Sequence, residues 1–380
     1  MHWRTKGLFA LIPMLLLLVG IPILAQQNTG SITGKVLDDQ SQPIPGATVT
    51  ATSPNLQGPR GTATNMDGDF VLPYLPPAAN YTLTVESAGY NKVVQSGIAV
   101  KLGSTTTLNF SLSKGSSQVV VTAKPPAVSL KDTKLETNLT SDEMDTIPIS
   151  RGYQDIMYLA PTVVSSGMGG NPGVAGSTGS QNIWVINGVN TTDPVTGTFA
   201  TNLNYNFIRE IEVNTGGLSA EYGASTGGLF NVLTISGSNE FHGEAFAYYT
   251  DQSMSAQGAP VAAGGLTRTD YHSYDYGFDL GGPILKDKLW YFVGYNPSLH
   301  STHYEGVNKT LYYGAIPVPS SYTKPDQGYP VPYNFDDLSR NWFWSSKFNY
   351  RINDTHNLEF AAFGDPSHMW YNEGMYVTTD

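Results

Sequence analysis

Seven histidines and no cysteine are the metal-binding and nucleophilic resources of this 380-residue chain. Without cysteine, disulfides, thiolate metal sites and thiol nucleophiles are all excluded. His300, His303 and Glu305 fall together in HSTHYE. Two imidazoles three residues apart meet one metal only on a helical turn. Ser301, Thr302 and Gly306 do not promote that turn, so the three read as polar residues of a long loop. Asp38, Asp67 and Asp69 sit among turn residues, where a carboxylate either caps a turn or joins a calcium site. His242 and Glu244 open a strand on what should be its polar face. No His-Glu-x-x-His zinc motif occurs, and Gly167–Gly179 lacks the Gly-Lys-Ser/Thr of a phosphate loop. No Ser/His/Asp or paired-carboxylate arrangement emerges. The chain makes no case for catalysis, and it calls for no metal or cofactor.

One stretch offers backbone chemistry instead. Gln118, Val119, Val120, Val121, Thr122 and Ala123 form a β-branched run between Ser116-Ser117 and Lys124-Pro125-Pro126. Such a segment can add itself to the sheet edge of another protein, with main-chain hydrogen bonds supplying affinity. It can equally be the last strand of the domain before it. The residues alone leave both readings open.

The elements that position these residues follow from composition. Charged residues are only 13% of the chain, about half the share of an ordinary soluble domain. Sixteen of the 23 tyrosines and four of the six tryptophans lie beyond residue 240. Net charge is −11 without a basic cluster, which argues against nucleic acid as a partner. At the N-terminus Arg4 and Lys6 precede the apolar run Gly7–Leu24. This reads as a signal peptide cleaved after Ala25, since Pro13 and Pro22 would interrupt a membrane anchor.

From residue 30 to 114 short β-rich runs alternate with turn residues: Ser31–Leu37, Ala47–Thr52, Gly61–Asn65, Phe70–Leu72, Tyr81–Glu86 and Thr105–Leu112. That spacing predicts a β-sandwich. From about Lys131 to Gly237 the pattern is mixed. Short helices are expected from Ser141 and over Arg151–Leu159, with a strand Asn182–Ile186 closed by the turn Asn187-Gly188. Arg209–Gly237 then gives Ile211–Val213 and Phe230–Ile235 joined by glycine pairs. Beyond Ser238-Asn239 the strands change character. Tyr274, Tyr276, Phe278 and Leu280 alternate with Ser273, Asp275, Gly277 and Asp279. Trp342, Trp344, Phe348, Tyr350 and Ile352 share one face, and Ser345, Lys347, Asn349 and Arg351 the other. Alternation with short turns at Gly282–Lys288 and Asn353–His356, and long loops at Thr250–Tyr271 and Ser298–Arg340, suits a transmembrane β-barrel. Leu289–Tyr295 is apolar on both faces, so its orientation stays open.

Ordered motifs now carry a resemblance. GKVLDDQSQPIPGATVT, TNMDGDFVLPYLPP and YTLTVESAGY resemble the carboxypeptidase regulatory-like domain, a transthyretin-like sandwich that implies no peptidase. Ile147-Pro148, Leu159-Ala160-Pro161, Ile186-Asn187-Gly188-Val189-Asn190, Asp193-Pro194 and Ile211–Gly237 follow the order of the plug in TonB-dependent outer-membrane receptors. GGPILKDKLWYF resembles their Oar-like branch. The resemblance implies that Gln118–Ala123 is a TonB box.

The expected fold is therefore mainly β. It comprises a signal peptide (1–25), a transthyretin-like β-sandwich (26–115), a box and linker (116–130), an α+β plug domain (131–237) and the first strands of an incomplete antiparallel transmembrane β-barrel (238–380). The expected role is energised uptake through the outer membrane, with the N-terminal domain in the periplasm. The implied partners are TonB, outer-membrane lipid and an extracellular substrate. Iron chelate, cobalamin, sugar and peptide all fit, with Gly167–Gly179, Asn190–Phe199 and the two long loops as substrate-facing segments. A surface protein for adhesion or gliding on the same fold is the alternative, and a soluble β-protein is a third. Five barrel strands cannot close around a plug, so a fragment or an interrupted gene is expected.

Overall fold

A computed structural model describes residues 28–115, 117–121, 134–147, 151–166, 171–218, 222–223, 225–254, 266–307, 332–353 and 356–374. The expected signal peptide lies outside the described residues, as do Thr122 and Ala123.

The first unit is a two-sheet sandwich. One sheet has the order β4 (Asp69–Leu75), β1 (Gly30–Asp38), β7 (Thr105–Thr107), with β8 (Phe110–Leu112) also on β1. The other runs β3 (Arg60–Ala63), β2 (Thr48–Thr52), β5 (Ala78–Glu86), β6 (Lys92–Val100), β9 (Gln118–Val121). Period-2 alternation sends Ile32, Val36, Val49, Phe70, Leu83, Val85 and Phe110 into one shared core. The run expected as one strand over Thr105–Leu112 is two, because Asn109 turns its side-chain oxygen to the Lys35 N–H at 3.0 Å and breaks the ladder. β6 carries no clear mark in the sequence. It is not among the runs expected from spacing, and it kinks at Gly97, with φ 74°.

The second unit is a five-stranded sheet ordered β10 (Leu135–Thr140), β15 (Ile208–Gly216), β16 (Leu229–Thr234), β13 (Ile183–Ile186), β14 (Val189–Asn190). A small pair, β11 (Val163–Ser165) and β12 (Pro172–Val174), lies beside it. Helix α1 (Ser141–Met144) is capped by Thr140, whose N–H donates to Glu143 Oε2 at 2.9 Å in a reciprocal capping box. Helix α2 (Tyr153–Met157) is shorter than expected. Asn187 and Gly188 take φ of 49° and 75°, the doubly positive pattern of a tight hairpin, and join β13 to β14. One sheet face and both helices bury Leu139, Met144, Ile156, Trp184, Ile211 and Phe230 together.

The third unit is an antiparallel wall ordered β17 (His242–Asp251), β18 (Leu266–Leu285), β19 (Leu289–Val307), β20 (Pro332–Arg351), β21 (Asn357–Gly364), with β22 (Ser367–Gly374) continuing along β20. Among the described residues it is open, with β17 and β21 at its ends. The alternation holds: Tyr274, Tyr276, Phe278, Trp344, Phe348 and Tyr350 are exposed on one side, while Ser273, Asp275, Asp279, Ser345, Lys347 and Asn349 are buried on the other. The long loops expected over Thr250–Tyr271 and Ser298–Arg340 need correcting. β18, β19 and β20 continue through Leu266–Tyr271, Ser298–Val307 and Pro332–Arg340, at 19 or 20 residues each. A membrane crossing takes about 10 residues, so the remainder stands beyond it as paired sheet.

A Cβ on Gly34 would sit 1.5 Å from the Leu108 carbonyl oxygen, whereas one on Gly61 would meet only ordinary contacts at 3.8 Å. Gly34→Ala should therefore force β1 from the link between β7 and β8 and cost about 3 kcal/mol or more, while Gly61→Ala stays within roughly 1 kcal/mol. Protease resistance of the sandwich in rising urea distinguishes the two.

Candidate functional site

The inward face of the wall presents polar side chains, and burial requires each to find a partner. The central domain supplies them. Arg151, just before α2, brings its Nε to 2.8 Å from Asp275 Oδ2 on β18, an ion pair by distance without the alignment of a hydrogen bond. Its other nitrogens donate to Asn204 Oδ1, Asn206 Oδ1 and the Tyr205 hydroxyl. The guanidinium also lies 3.8 Å from the ring centre of Tyr248 and 5.1 Å from that of Phe246, both on β17. A planar cation satisfies such stacking and forked donation together, which a lysine cannot do. Asn296 on β19 donates to Asp275 Oδ1 at 2.5 Å and accepts from Asn204, which ties a third wall strand into the same network.

Two further contacts repeat the principle. Lys347, fully buried on β20, donates to Asn187 Oδ1 at 3.2 Å and to the Thr234 carbonyl at 3.4 Å, and pairs with Glu359 at 3.2 Å. Asp365, between β21 and β22, accepts from the Asn202 N–H at 2.9 Å and from Thr201 Oγ1 at 2.8 Å. One apolar seat joins these contacts, where Phe207 packs on Phe292 and closes over Gly294. Below Arg151 a cleft of about 240 Å³ lies between the two units. Asp145, Tyr205 and Arg209 line one side, and His242, Glu244 and Asp279 the other. Its mixed charge suits water and polar solutes.

The sandwich meets the central domain through the β6–β7 turn. The Leu102 N–H donates to Glu210 Oε1 at 2.9 Å, and Asn138 Nδ2 donates to the same oxygen at 2.6 Å. Burial is the main cause that pushes the Glu210 carboxyl up to about 7, against the lowering effect of these two donors and of Lys101. Gln57 Nε2 also reaches the Gly237 carbonyl at 3.3 Å, so the sandwich sits at the end of the wall where the turn Lys286–Lys288 lies.

The sequence-derived candidates distribute unevenly. Gln118–Val121 is the edge strand β9, paired in parallel with β6 from Lys92↔Gln118 to Gln95↔Val121. The strand thus has a partner inside its own domain. His300 and His303 lie on β19 rather than in a loop. His300 bonds Ser273 at 2.8 Å and Ser298 at 3.0 Å, and His303 bonds Asp336 at 2.5 Å. Asp38 caps a turn through the Gln40 and Gln42 N–H groups, and Asp69 pairs with Lys35 at 2.9 Å. His242 and Glu244 lie on the inward face, as expected, with His242 stacked on Phe292. In Gly167–Gly179, residues 167–170 lie outside the described residues, and Pro172–Val174 is β12. In Asn190–Phe199 the Asp193 turn leaves Val195 exposed, while Phe199 packs into the core. Arg151, Lys347 and Asp365 carry no local signal in sequence, because their partners across the wall and the central domain lie 113 to 164 positions away.

Family models match parts of the first and third units. Residues 31–113 match the carboxypeptidase regulatory-like domain, and residues 233–312 an outer membrane beta barrel domain. The TonB-dependent transporter Oar of Myxococcus xanthus is 33% identical over 374 residues, 92% of this chain and 34% of that protein. The chain thus spans about a third of the length of that relative. Among solved structures, a mutant ferric enterobactin receptor of Pseudomonas aeruginosa shares 19% identity over 62% of this chain and 33% of that one, with a TM-score of 0.42. The alcaligin outer membrane receptor of Bordetella pertussis shares 10% over 64% and 40%, with a TM-score of 0.36.

Arg151→Ala strands a nearly buried Asp275, so it should destabilise the seating of the central domain by about 3 kcal/mol or more, with Arg151→Lys intermediate. Thermal release of that domain from the wall, followed by proteolysis, reads this out. Glu210 binds a proton more tightly in the folded state than unfolded. Its contribution is therefore favourable below about pH 4.5 and lost as pH rises to about 7. Denaturation from pH 5 to 8 should show a fall on the order of 3 kcal/mol at most from this group, and Glu210→Gln should flatten it.

Proposed function

The chain is a homologue of the TonB-dependent transporter Oar, with a carboxypeptidase regulatory-like domain and an outer-membrane barrel domain, and from that premise we propose that it serves TonB-energised uptake through the outer membrane. The observation that carries this reading is the seating of the central domain. It is held against the wall by hydrogen bonds and ion pairs at Arg151, Lys347 and Asp365, with one small aromatic seat. Contacts of this kind exchange readily with water, so a pull can break them and they can re-form.

In this reading residues 1–25 are removed on export and the sandwich (26–115) hangs in the periplasm. Residues 131–237 are the plug, and the strands from 238 onward are barrel. The position of the sandwich beside the short turns of the wall supports the periplasmic assignment, since outer-membrane barrels place short turns there. Gln118–Ala123 is the TonB box, lying between the sandwich and the plug. Substrate enters from the side of the extended strand ends and leaves along the polar cleft beside Arg209. The open wall is completed by the remainder of a protein of the length of the relative.

The test is deletion of Gln118–Ala123 in the full-length protein. Uptake is screened over iron chelates, cobalamin, oligosaccharides and peptides, with and without a protonophore. Protonophore-sensitive uptake of one class should fall to background on deletion, while the amount of folded protein in the outer membrane stays unchanged. Uptake that persists in the deletion would overturn the reading.

A further inference from the structure

The segment proposed to engage TonB is already engaged. β9 is the fifth strand of a sandwich sheet, with four consecutive parallel pairs to β6: Lys92↔Gln118, Val93↔Val119, Val94↔Val120 and Gln95↔Val121. We propose that the sandwich acts as a strand clamp. It holds Gln118–Val121 on the edge of β6, and TonB must take this strand from β6 in exchange, so the clamp sets when the transporter can be energised. This rests on the reading of Gln118–Ala123 as the TonB box.

Three features of the structure argue for a purpose-built hold. The approach to β9 is guided by side-chain chemistry. Asn91 Oδ1 accepts from the Ser117 N–H at 2.8 Å, Asn91 Nδ2 donates to Ser113 Oγ at 3.0 Å, and the Lys92 N–H donates to the Ser117 carbonyl at 3.1 Å. Gly115, at φ 154°, passes so close to Asn91 that a Cβ there would lie 2.3 Å from its Oδ1. Asn91 therefore sets the register in which β9 meets β6.

β9 also stands at the margin of its sheet, with β6 as its one neighbour among the described strands. An edge strand bonded to one neighbour can leave by breaking a single ladder, and a strand in the middle of the sheet would have to break two. Finally, the pairing is short. Four residues in a parallel ladder make a hold that a partner strand of similar length can match, because exchange replaces like backbone bonds with like.

A partner could instead add to the outer edge of β9 with the clamp closed, and the two modes give opposite results. The chain has no cysteine, so a disulfide between the paired positions Val94 and Val120 introduces no competing thiol. Val94→Cys with Val120→Cys is made in the full-length protein in outer-membrane vesicles, and binding of the purified periplasmic domain of TonB is measured oxidised and reduced. Oxidation should form the bond in the resting protein and weaken binding at least tenfold, with recovery on reduction. Asn91→Ala should tighten binding severalfold while the sandwich keeps the protease resistance of the parent. Equal binding in both redox states, or failure of the bond to form, overturns the clamp. Deletion of Gln118–Ala123 separates the two ideas. If the TonB domain binds the deletion as well as the parent, the box assignment itself is wrong; if deletion abolishes binding but the locked protein binds normally, only the clamp is.

Discussion

Each wall strand has two solvents, and that constraint governs the rest of the molecule. A strand sends successive side chains to opposite faces, so residues in even register on β18 cannot share the surroundings of their odd neighbours. Tyr274, Tyr276 and Phe278 stand exposed on one side, and Asp275 and Asp279 are buried on the other. An inward carboxylate or ammonium that is buried needs a counter-group, and the wall provides only some of them. Asp275 finds Arg151, Lys347 finds Asn187 and the Thr234 carbonyl, and Asp365 finds Asn202. The polarity of the wall interior therefore specifies the polarity of the surface that fills it.

The same constraint explains what the sequence revealed and what it hid. Alternation in Ser273–Gly281 and Trp342–Ile352 is legible because lipid-side aromatics face inward polar groups residue by residue. Leu289–Tyr295 resists this reading because its inward residues Trp290 and Phe292 face a packed surface rather than water. Strand length was also hidden. The residues of HSTHYE look like loop residues, yet β19 carries them beyond the membrane as paired sheet, with His303 bonded across to Asp336. A sequence window has no sight of the neighbouring strand that satisfies such polar residues. Arg151 belongs to the same class: one arginine before a short helix has no local signature, and its meaning comes from Asp275, 124 positions on.

The sandwich illustrates a different limit. Its turns are explicit in Pro43-Ile44-Pro45-Gly46 and Asp67-Gly68, so six of its strands are legible from spacing alone. β6 is not among them, because the kink at Gly97 breaks its alternation, and only β5 and β9 on either side of it show it to be one strand. The loss mattered. Without β6 the run Gln118–Val121 has no visible partner and looks like a free segment; with β6 present it becomes the outermost strand of a sheet.

Position in a sheet then decides what can move. β9 ends one sheet and β10 ends the next, and the chain between them is the link from sandwich to central domain. Both are edge strands, each held by one ladder, so both can be peeled while the sheets behind them stay intact. β10 also contributes Asn138, one of the two donors on Glu210, while the other donor is the Leu102 N–H of the sandwich. Peeling β10 withdraws Asn138 from the buried carboxyl and leaves it to the Leu102 N–H of the other unit. A displacement that begins at this link therefore reaches the sandwich junction first and the Lys347 contacts afterwards, because Thr234 and Asn187 lie beyond β15 in the sheet. The order of release is set by the strand order, and strand order is fixed by the fold.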